Sequence, residues 1–403
     1  MSAAVLPGPT DGVVRPAADP GRSDALLPAP TVQAHAANLM FLPGGALGCV
    51  WFGGTQEGVP DISVWSSRLE PGSDRWTAPQ QLTDDPHRSE QNPILFVAPD
   101  QAVWLLWTAQ VAGHQDTSEV RCRVSVDGGR TFGPARVLIP ADERGGVFVR
   151  QPPLVTPDGR WLLGVFNCAR VPGERWAGDA DTSSVHASDD GGATWTETPV
   201  PGSLGCVHLN PVPLPDGSLL ALYRSRWADF VHASWSTDGG RSFSVPVPLD
   251  VPNNNSSIQA VALADGRVAM VYNHASALDA TERRVSLYDE IDDEGLADDA
   301  APRVLSDPAA TVGAGGRRAF WGAPRAPLSL AVSSDGGRTW PLRRDLEVGD
   351  GYCMTNSSRD GRNRELSYPS IRQGPDGDLH IAFTCFRQAI RYVRVALDWV
   401  DAG

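Results

Sequence analysis

The chain has 403 residues, 41% of them hydrophobic, enough for a sizeable core, and a formal net charge of −14. That charge argues against nucleic acid and against an anionic membrane surface as partners, since both repel a net anion. Its 41 glycines, 34 prolines and 13 tryptophans fit a turn-rich all-β protein, and all 34 basic residues are arginine, so an arginine is informative here only through its position.

In chain order, residues 1–26 are rich in Pro, Gly and Ala and read as a flexible leader. No basic segment precedes an apolar one there, and no apolar run reaches the ~18 residues of a membrane span, which predicts a cytoplasmic protein. Tight turns then join pairs of apolar runs at Pro43-Gly44-Gly45, Pro99-Asp100, Pro157-Asp158-Gly159, Pro215-Asp216-Gly217, Ala264-Asp265-Gly266 and Pro375-Asp376-Gly377. Turns of this chemistry connect adjacent antiparallel strands. A second pattern, S-x-D-G-G-x-[ST]-[WF], recurs four times, at Ser125–Phe132, Ser188–Trp195, Ser236–Phe243 and Ser333–Trp340. In each copy Ser and Asp suit bonding to nearby backbone N–H groups, the glycines permit positive φ, and the closing aromatic suits packing between sheets. Its Asp residues (Asp127, Asp190, Asp238 and Asp335) are therefore read as structural.

Repeats at blade-like intervals predict a six-bladed β-propeller over residues 27–403, each blade running from an inner strand A to an outer strand D. The Asp turns fall between C and D; blade 1 keeps a decayed copy at Ser67–Trp76 and the last blade has none. The last blade also runs out of chain near Ala402, so Leu27–Val32 is expected to supply its outer strand. An insertion, about residues 276–324, separates the B and C strands of blade 5. Its acidic run Asp289–Asp299 reads as solvated, with weak binding of a structural Ca2+ as the alternative. Six dispersed cysteines without a CxxC pair read as buried free thiols.

In a propeller the residues that open each inner strand ring one mouth of the central channel. Those segments are polar in every blade: Gln33–Asn38, Arg88–Asn92, Arg150-Gln151, Cys206–Asn210, Asn253–Ser257 and Arg364–Tyr368. The B–C loops open on the same face and add Glu57, Asp61, Trp176, Arg224, Arg226, Trp321, Arg325 and Arg387. Guanidinium forks suit carboxylates and indole faces suit sugar rings, so the mixture predicts an acidic oligosaccharide as partner and no cofactor.

The four Asp turns on six blades resemble the sialidase (neuraminidase) superfamily with its bacterial Asp-box repeats, over about residues 33–400. The start His35-Ala-Ala-Asn38, the stretch Trp51–Glu57 and the segment Arg364–Pro369 look like its "predicted neuraminidase" branch. The resemblance implies a Tyr nucleophile opening the last blade, aided by a Glu, an acid/base in the first B–C loop, and three arginines on a substrate carboxylate. Tyr368 stands at the nucleophile's place with Glu365 nearby, and Glu57 or Asp61 at the acid's. Arg325 and one of Arg224 and Arg226 match the clamp. Two positions depart from the pattern: His35 stands near the place of the first-blade arginine, and the blade 4 rim carries Cys206, His208 and Asn210 where a Glu is expected.

The expected activity is exo-acting hydrolysis at the terminal acidic sugar of a glycan or oligosaccharide. His35, Glu57, Glu365 and Tyr368 are the candidate catalytic residues. Asn38, Asp61, Arg88, Glu90, Gln91, Arg150, Gln151, His208, Asn255, Arg325, Arg364 and Arg387 are the candidate substrate contacts. Related propellers acting on rhamnose–glucuronate linkages imply an alternative. In it His35 or His208 removes a proton beside a uronate neutralised by Arg150, Arg364 or Arg387, and the linkage is eliminated. A sugar-binding propeller without catalysis is the third reading, disfavoured by the density of titratable groups at one mouth.

Overall fold

The computed structural model describes residues 4–292, 295–296, 302–309 and 317–401. Six antiparallel sheets stand around a central channel as a six-bladed β-propeller. Blade 2 shows the order: inner Ser89–Val97, then Val103–Val111, His114–Ser125 and outer Arg136–Ile139. The second strands are buried almost from end to end, polar residues included, because each sheet is covered on both faces by its neighbours. Among the described residues, six buried apolar layers fill the six gaps between blades.

The Asp turns form as their chemistry dictates. In all four the Ser hydroxyl accepts the N–H of the second glycine at 2.8–3.0 Å. The Asp carboxylate takes the hydroxyl of the following Thr or Ser at 2.6 Å. The second glycine lies against the preceding blade, where a Cβ on Gly240 or Gly337 would overlap Leu162 or Leu220. Each closing aromatic (Phe132, Trp195, Phe243, Trp340) joins the layer between its own blade and the one before.

The ring closes differently from the expectation. The added strand of the last blade is Arg22–Leu26, paired with Ala389–Val395, and Leu27–Val32 follows it as a connection. A further short strand, Arg15–Pro16, pairs outside it, so this part of the expected leader is folded onto the propeller. The register explains the choice: Asp24 meets Arg22 and Arg391 in ion pairs along the edge.

The channel is stitched by side chains that reach across blades. Asn38 Oδ1 accepts the Leu95 N–H, Asn210 Oδ1 the Ala260 N–H, Gln259 Oε1 the Ile371 N–H and Ser370 Oγ the Leu39 N–H. Gln151 donates to the Ile258 carbonyl at 2.7 Å and accepts from Gln259 at 2.8 Å. Asn38 and Gln151, expected on the substrate, therefore hold the wall of the channel. Blade 5's insertion leaves after Val268–Asn273, returns at Leu328–Ser333, and folds over the channel mouth. Much of the acidic run Asp289–Asp299 lies outside the described residues, and the expected Ca2+ site with it.

Candidate active site

A bulge in the inner strands shapes the site. In blades 1, 2, 4 and 6 the register slips, between His35 and Asn38, Gln91 and Ile94, Val207 and Asn210, and Ser367 and Ser370. The residue at each slip, Ala36, Asn92, His208 or Tyr368, holds a left-handed φ of 49–60°. The extra residue reverses the alternation of faces, so residues three apart turn to the same side. Glu365 and Tyr368, which an unbroken strand would point apart, both reach the interior this way.

Tyr368 lies at the centre. Arg224 donates to its phenolic oxygen at 2.6 Å, and the guanidiniums of Arg150, Arg224 and Arg325 stand 5.5–5.6 Å from its ring centre. The His35 ring is tilted against it at 4.3 Å between centroids, and that of His208 lies 5.9 Å away. Arg150 donates to the carbonyls of Ala37, Tyr368 and Pro369 and to Ser257, leaving its Nη1 buried without a partner. Arg224 is held by Asn255 Oδ1 at 2.8 Å. Among the described residues neither Arg150 nor Arg224 has a carboxylate in ion-pair contact. Burial, against the pull of the Tyr368 oxygen and with help from other arginines, lowers each to about 10.

Glu365 is the anionic hub. Its carboxylate accepts from Arg325 at 2.9 Å and Ser367 at 2.9 Å, and lies 3.0 Å from Arg387 Nε and 3.4 Å from His35 Nδ1. Burial pushes this carboxyl up, but Arg325 and Arg387 outweigh it and hold it below the ordinary carboxylate value. Arg387 reaches on to Glu57 at 2.7 Å. Burial first, then Arg387, Arg325, Arg150 and Arg224, drives His35 well below its ordinary value, so its imidazole is neutral near pH 7. With Thr384 at 2.8 Å and the Glu365 anion on Nδ1, the proton is favoured there. Nε2 is left buried with no partner. His208, bonded through Nδ1 to Ser257 at 3.1 Å, is pushed down by burial, Arg224, Arg226 and Arg150.

Thus His35, Glu57, Glu365, Tyr368, Arg150, His208, Arg325, Arg387 and, behind Arg224, Asn255 are brought together, while the other expected contacts lie elsewhere. Asp61 is exposed and caps its own loop by accepting the Thr55 N–H at 3.2 Å. Arg88 spans the blade 2 hairpin by donating to the carbonyls of Ala109 and Thr117. Glu90 faces an outer cavity, where it accepts from Trp107 Nε1 at 2.8 Å and burial raises its carboxyl. Gln91 donates to Ser89 and faces the Tyr288 hydroxyl of the insertion. Arg364 points outward, paired with Asp350 and stacked on Tyr352. Both residues stand just before the strand Leu366–Gln373, where Asp350 holds Arg364 outward and Arg325 and Arg387 face Glu365 inside.

Two features of the site have no forecast in the sequence. Arg226, a candidate clamp, is consumed by Asp181, whose Oδ2 accepts from both its Nη2 at 2.7 Å and its Nε at 2.9 Å, and is packed among Phe166, Trp176 and Trp321. Thr384, on the second strand of blade 6, orients His35. Among the described residues no group of three or more His, Cys, Asp or Glu is placed to hold a metal ion.

The fold is that of a sialidase-like six-bladed propeller. Residues 45–381 match the model of the BNR repeat-like domain, and the chain belongs to that family. No curated protein matches the chain in sequence. Among solved structures it is similar to the Hadza microbial sialidase Hz136, at 12% identity and TM-score 0.64, over 92% of this chain and 67% of that one. It is similar also to a Dyadobacter fermentans protein of unknown function, at 16% identity and TM-score 0.65, over 94% of this chain and 99% of that one. The intramolecular trans-sialidase from Ruminococcus gnavus shares 12% identity at TM-score 0.62, over 91% of this chain and 95% of that one. At such identities the likeness is one of fold.

Proposed function

We propose that this protein is a glycan-acting enzyme that cleaves the bond to a terminal acidic sugar by hydrolysis. The carrying observation is the pair Arg150 and Arg224, buried cations beside Tyr368 that, among the described residues, have no carboxylate partner. A carboxylate on the ligand supplies the missing charge and sets the sugar against the phenolic oxygen, and charge-assisted bidentate contacts are the strong ones. Tyr368 then acts as nucleophile toward the anomeric carbon. Its proton passes to the bare Nε2 of His35, whose cation Glu365 stabilises from behind, and from there to the departing glycosidic oxygen as the bond to it breaks; a water then cleaves the glycosyl–Tyr368 bond. Arg224 faces the oxygen on which charge develops. Glu57, paired with Arg387, keeps Arg387 and Glu365 in place and is poorly set to donate a proton, a change from the role expected for it.

A second reading is favoured by the same neutral imidazole. If the ligand is a uronate, His35 Nε2 takes the proton at C5, Arg150 and Arg224 neutralise the carboxylate, and the linkage is eliminated without a Tyr nucleophile. Two substitutions separate the readings. With hydrolysis, Tyr368→Phe lowers kcat on a verified substrate by roughly 10³-fold or more, and His35→Ala by about 10²–10⁴-fold. A Tyr368→Phe enzyme retaining most of its turnover while His35→Ala is inactive transfers the assignment to elimination. Full activity in both variants refutes the site.

A further inference from the structure

Part of the blade 5 insertion lies over the site, and none of the chemistry above uses it. Its Leu287, Tyr288, Ile291 and Trp321 share one buried apolar cluster with Phe52, Phe166, Trp176 and Tyr368. Beneath it His35, Arg150 and Glu365 are 0% exposed and Tyr368 only 7%.

The fastening of the insertion differs from that of the blades. Blades are tied by backbone ladders, whereas the segment Tyr288–Ile291 is held largely by single side-chain bonds to loops of different blades. Glu290 accepts from Gln56 of blade 1 at 2.9 Å, and from Thr355 at 2.7 Å and the Asn356 N–H at 3.3 Å in the approach to blade 6. The Tyr288 hydroxyl accepts from Gln115 of blade 2 at 2.8 Å, and the Ile291 carbonyl from Arg175 of blade 3 at 2.7 Å. Releasing these bonds breaks no strand pairing of any blade, and units joined by few contacts open at lower free energy than the whole fold.

We propose that the segment Tyr288–Ile291 is a lid, latched at Glu290 and Tyr288, that lifts to admit ligand to Tyr368. That the opened site then takes one chain-end sugar rests on the function proposed above. The opening itself does not, and it is testable without a substrate.

Cys168 is the reporter. It is 0% exposed, lies in the cluster under Tyr288 and Ile291, and its thiol faces Gln115 Oε1 at 3.8 Å. Cys49 and Cys122 are equally buried but sit in the layers between blades. The intact protein is treated with N-ethylmaleimide under native conditions and each cysteine followed by peptide mass spectrometry. Cys168 is expected to react at least tenfold faster than Cys49 and Cys122. Glu290→Gln and, separately, Tyr288→Phe are each expected to speed Cys168 alone, Glu290→Gln by about tenfold, the effect of weakening hydrogen bonds to a charged group. A common rate for all three thiols, or a Cys168 rate that ignores both variants, overturns the lid and leaves the catalytic assignment standing.

Discussion

Glu365→Gln is the most informative perturbation of the site, because one carboxylate there faces two arginines and a histidine. The substitution keeps shape and volume and removes only the charge. Arg325, whose ion pair in the structure is with Glu365, is left buried and uncompensated, while Arg387 keeps Glu57. Breaking a fully buried pair by removing one partner costs about 3–5 kcal/mol. Glu57→Gln is the internal control: it takes one bond from Arg387, which keeps Glu365, so about 1.5–3 kcal/mol is expected. Urea unfolding of both variants beside the parent, with matched slopes, reads the difference. The account requires Glu365→Gln to be the less stable by roughly 2 kcal/mol, the difference between the midpoints of those two ranges. A Glu365→Gln protein as stable as the parent, or more stable than Glu57→Gln, refutes the hub.

Acid should weaken the fold in a defined window. His35 and His208 are held well below their ordinary values, and burial pushes His186 from 6.5 to about 4. The unfolded chain takes up these protons near pH 6.5 and the folded chain does not, so stability is full above that pH and falls as pH drops toward 4. His186 alone accounts for about 3 kcal/mol by pH 4. The Asp turns stay ionised throughout, with Asp190, Asp238 and Asp335 at about 2. A urea midpoint that is flat from pH 7 to 5 contradicts the neutral burial of these histidines. For the repeats, Gly217→Ala places a Cβ in open space at φ 85°, whereas Gly240→Ala at φ 79° drives one into Leu162. Losses of about 1 kcal/mol and about 2–4 kcal/mol follow, and equal losses count against the inter-blade contact.

The blades were legible because their signals are local. A Pro-Asp-Gly hairpin or a Ser-x-Asp-Gly-Gly turn is specified by side chains within a few residues of the backbone they bond. The site was legible only in part. Tyr368, Glu365, His35, Arg325 and Arg387 could be named from their place in the repeat, but facing could not. A bulge turns Tyr368 to the side of Glu365, and Asp350 holds Arg364 away. Asn38 and Gln151 look like ligand contacts in a sequence because any polar residue at a channel does; their work across blades depends on neighbours far away in the chain. Arg226 was ambiguous for a similar reason, since nothing near it announces Asp181. The lid is the largest omission, its residues Tyr288 and Ile291 lying in an insertion without periodicity.

The central claim is that Tyr368 and its arginines act on the bond to an acidic sugar. It is tested most directly by incubating the purified protein with sialyl, uronic-acid and rhamnosyl-uronic oligosaccharides and following the products by mass spectrometry and ultraviolet absorbance. The account predicts release of the terminal acidic sugar with the gain of one water and no new absorbance, abolished by Tyr368→Phe. An unsaturated uronate with new absorbance contradicts hydrolysis in favour of His35-driven elimination, and no product from any acidic glycan contradicts the enzyme.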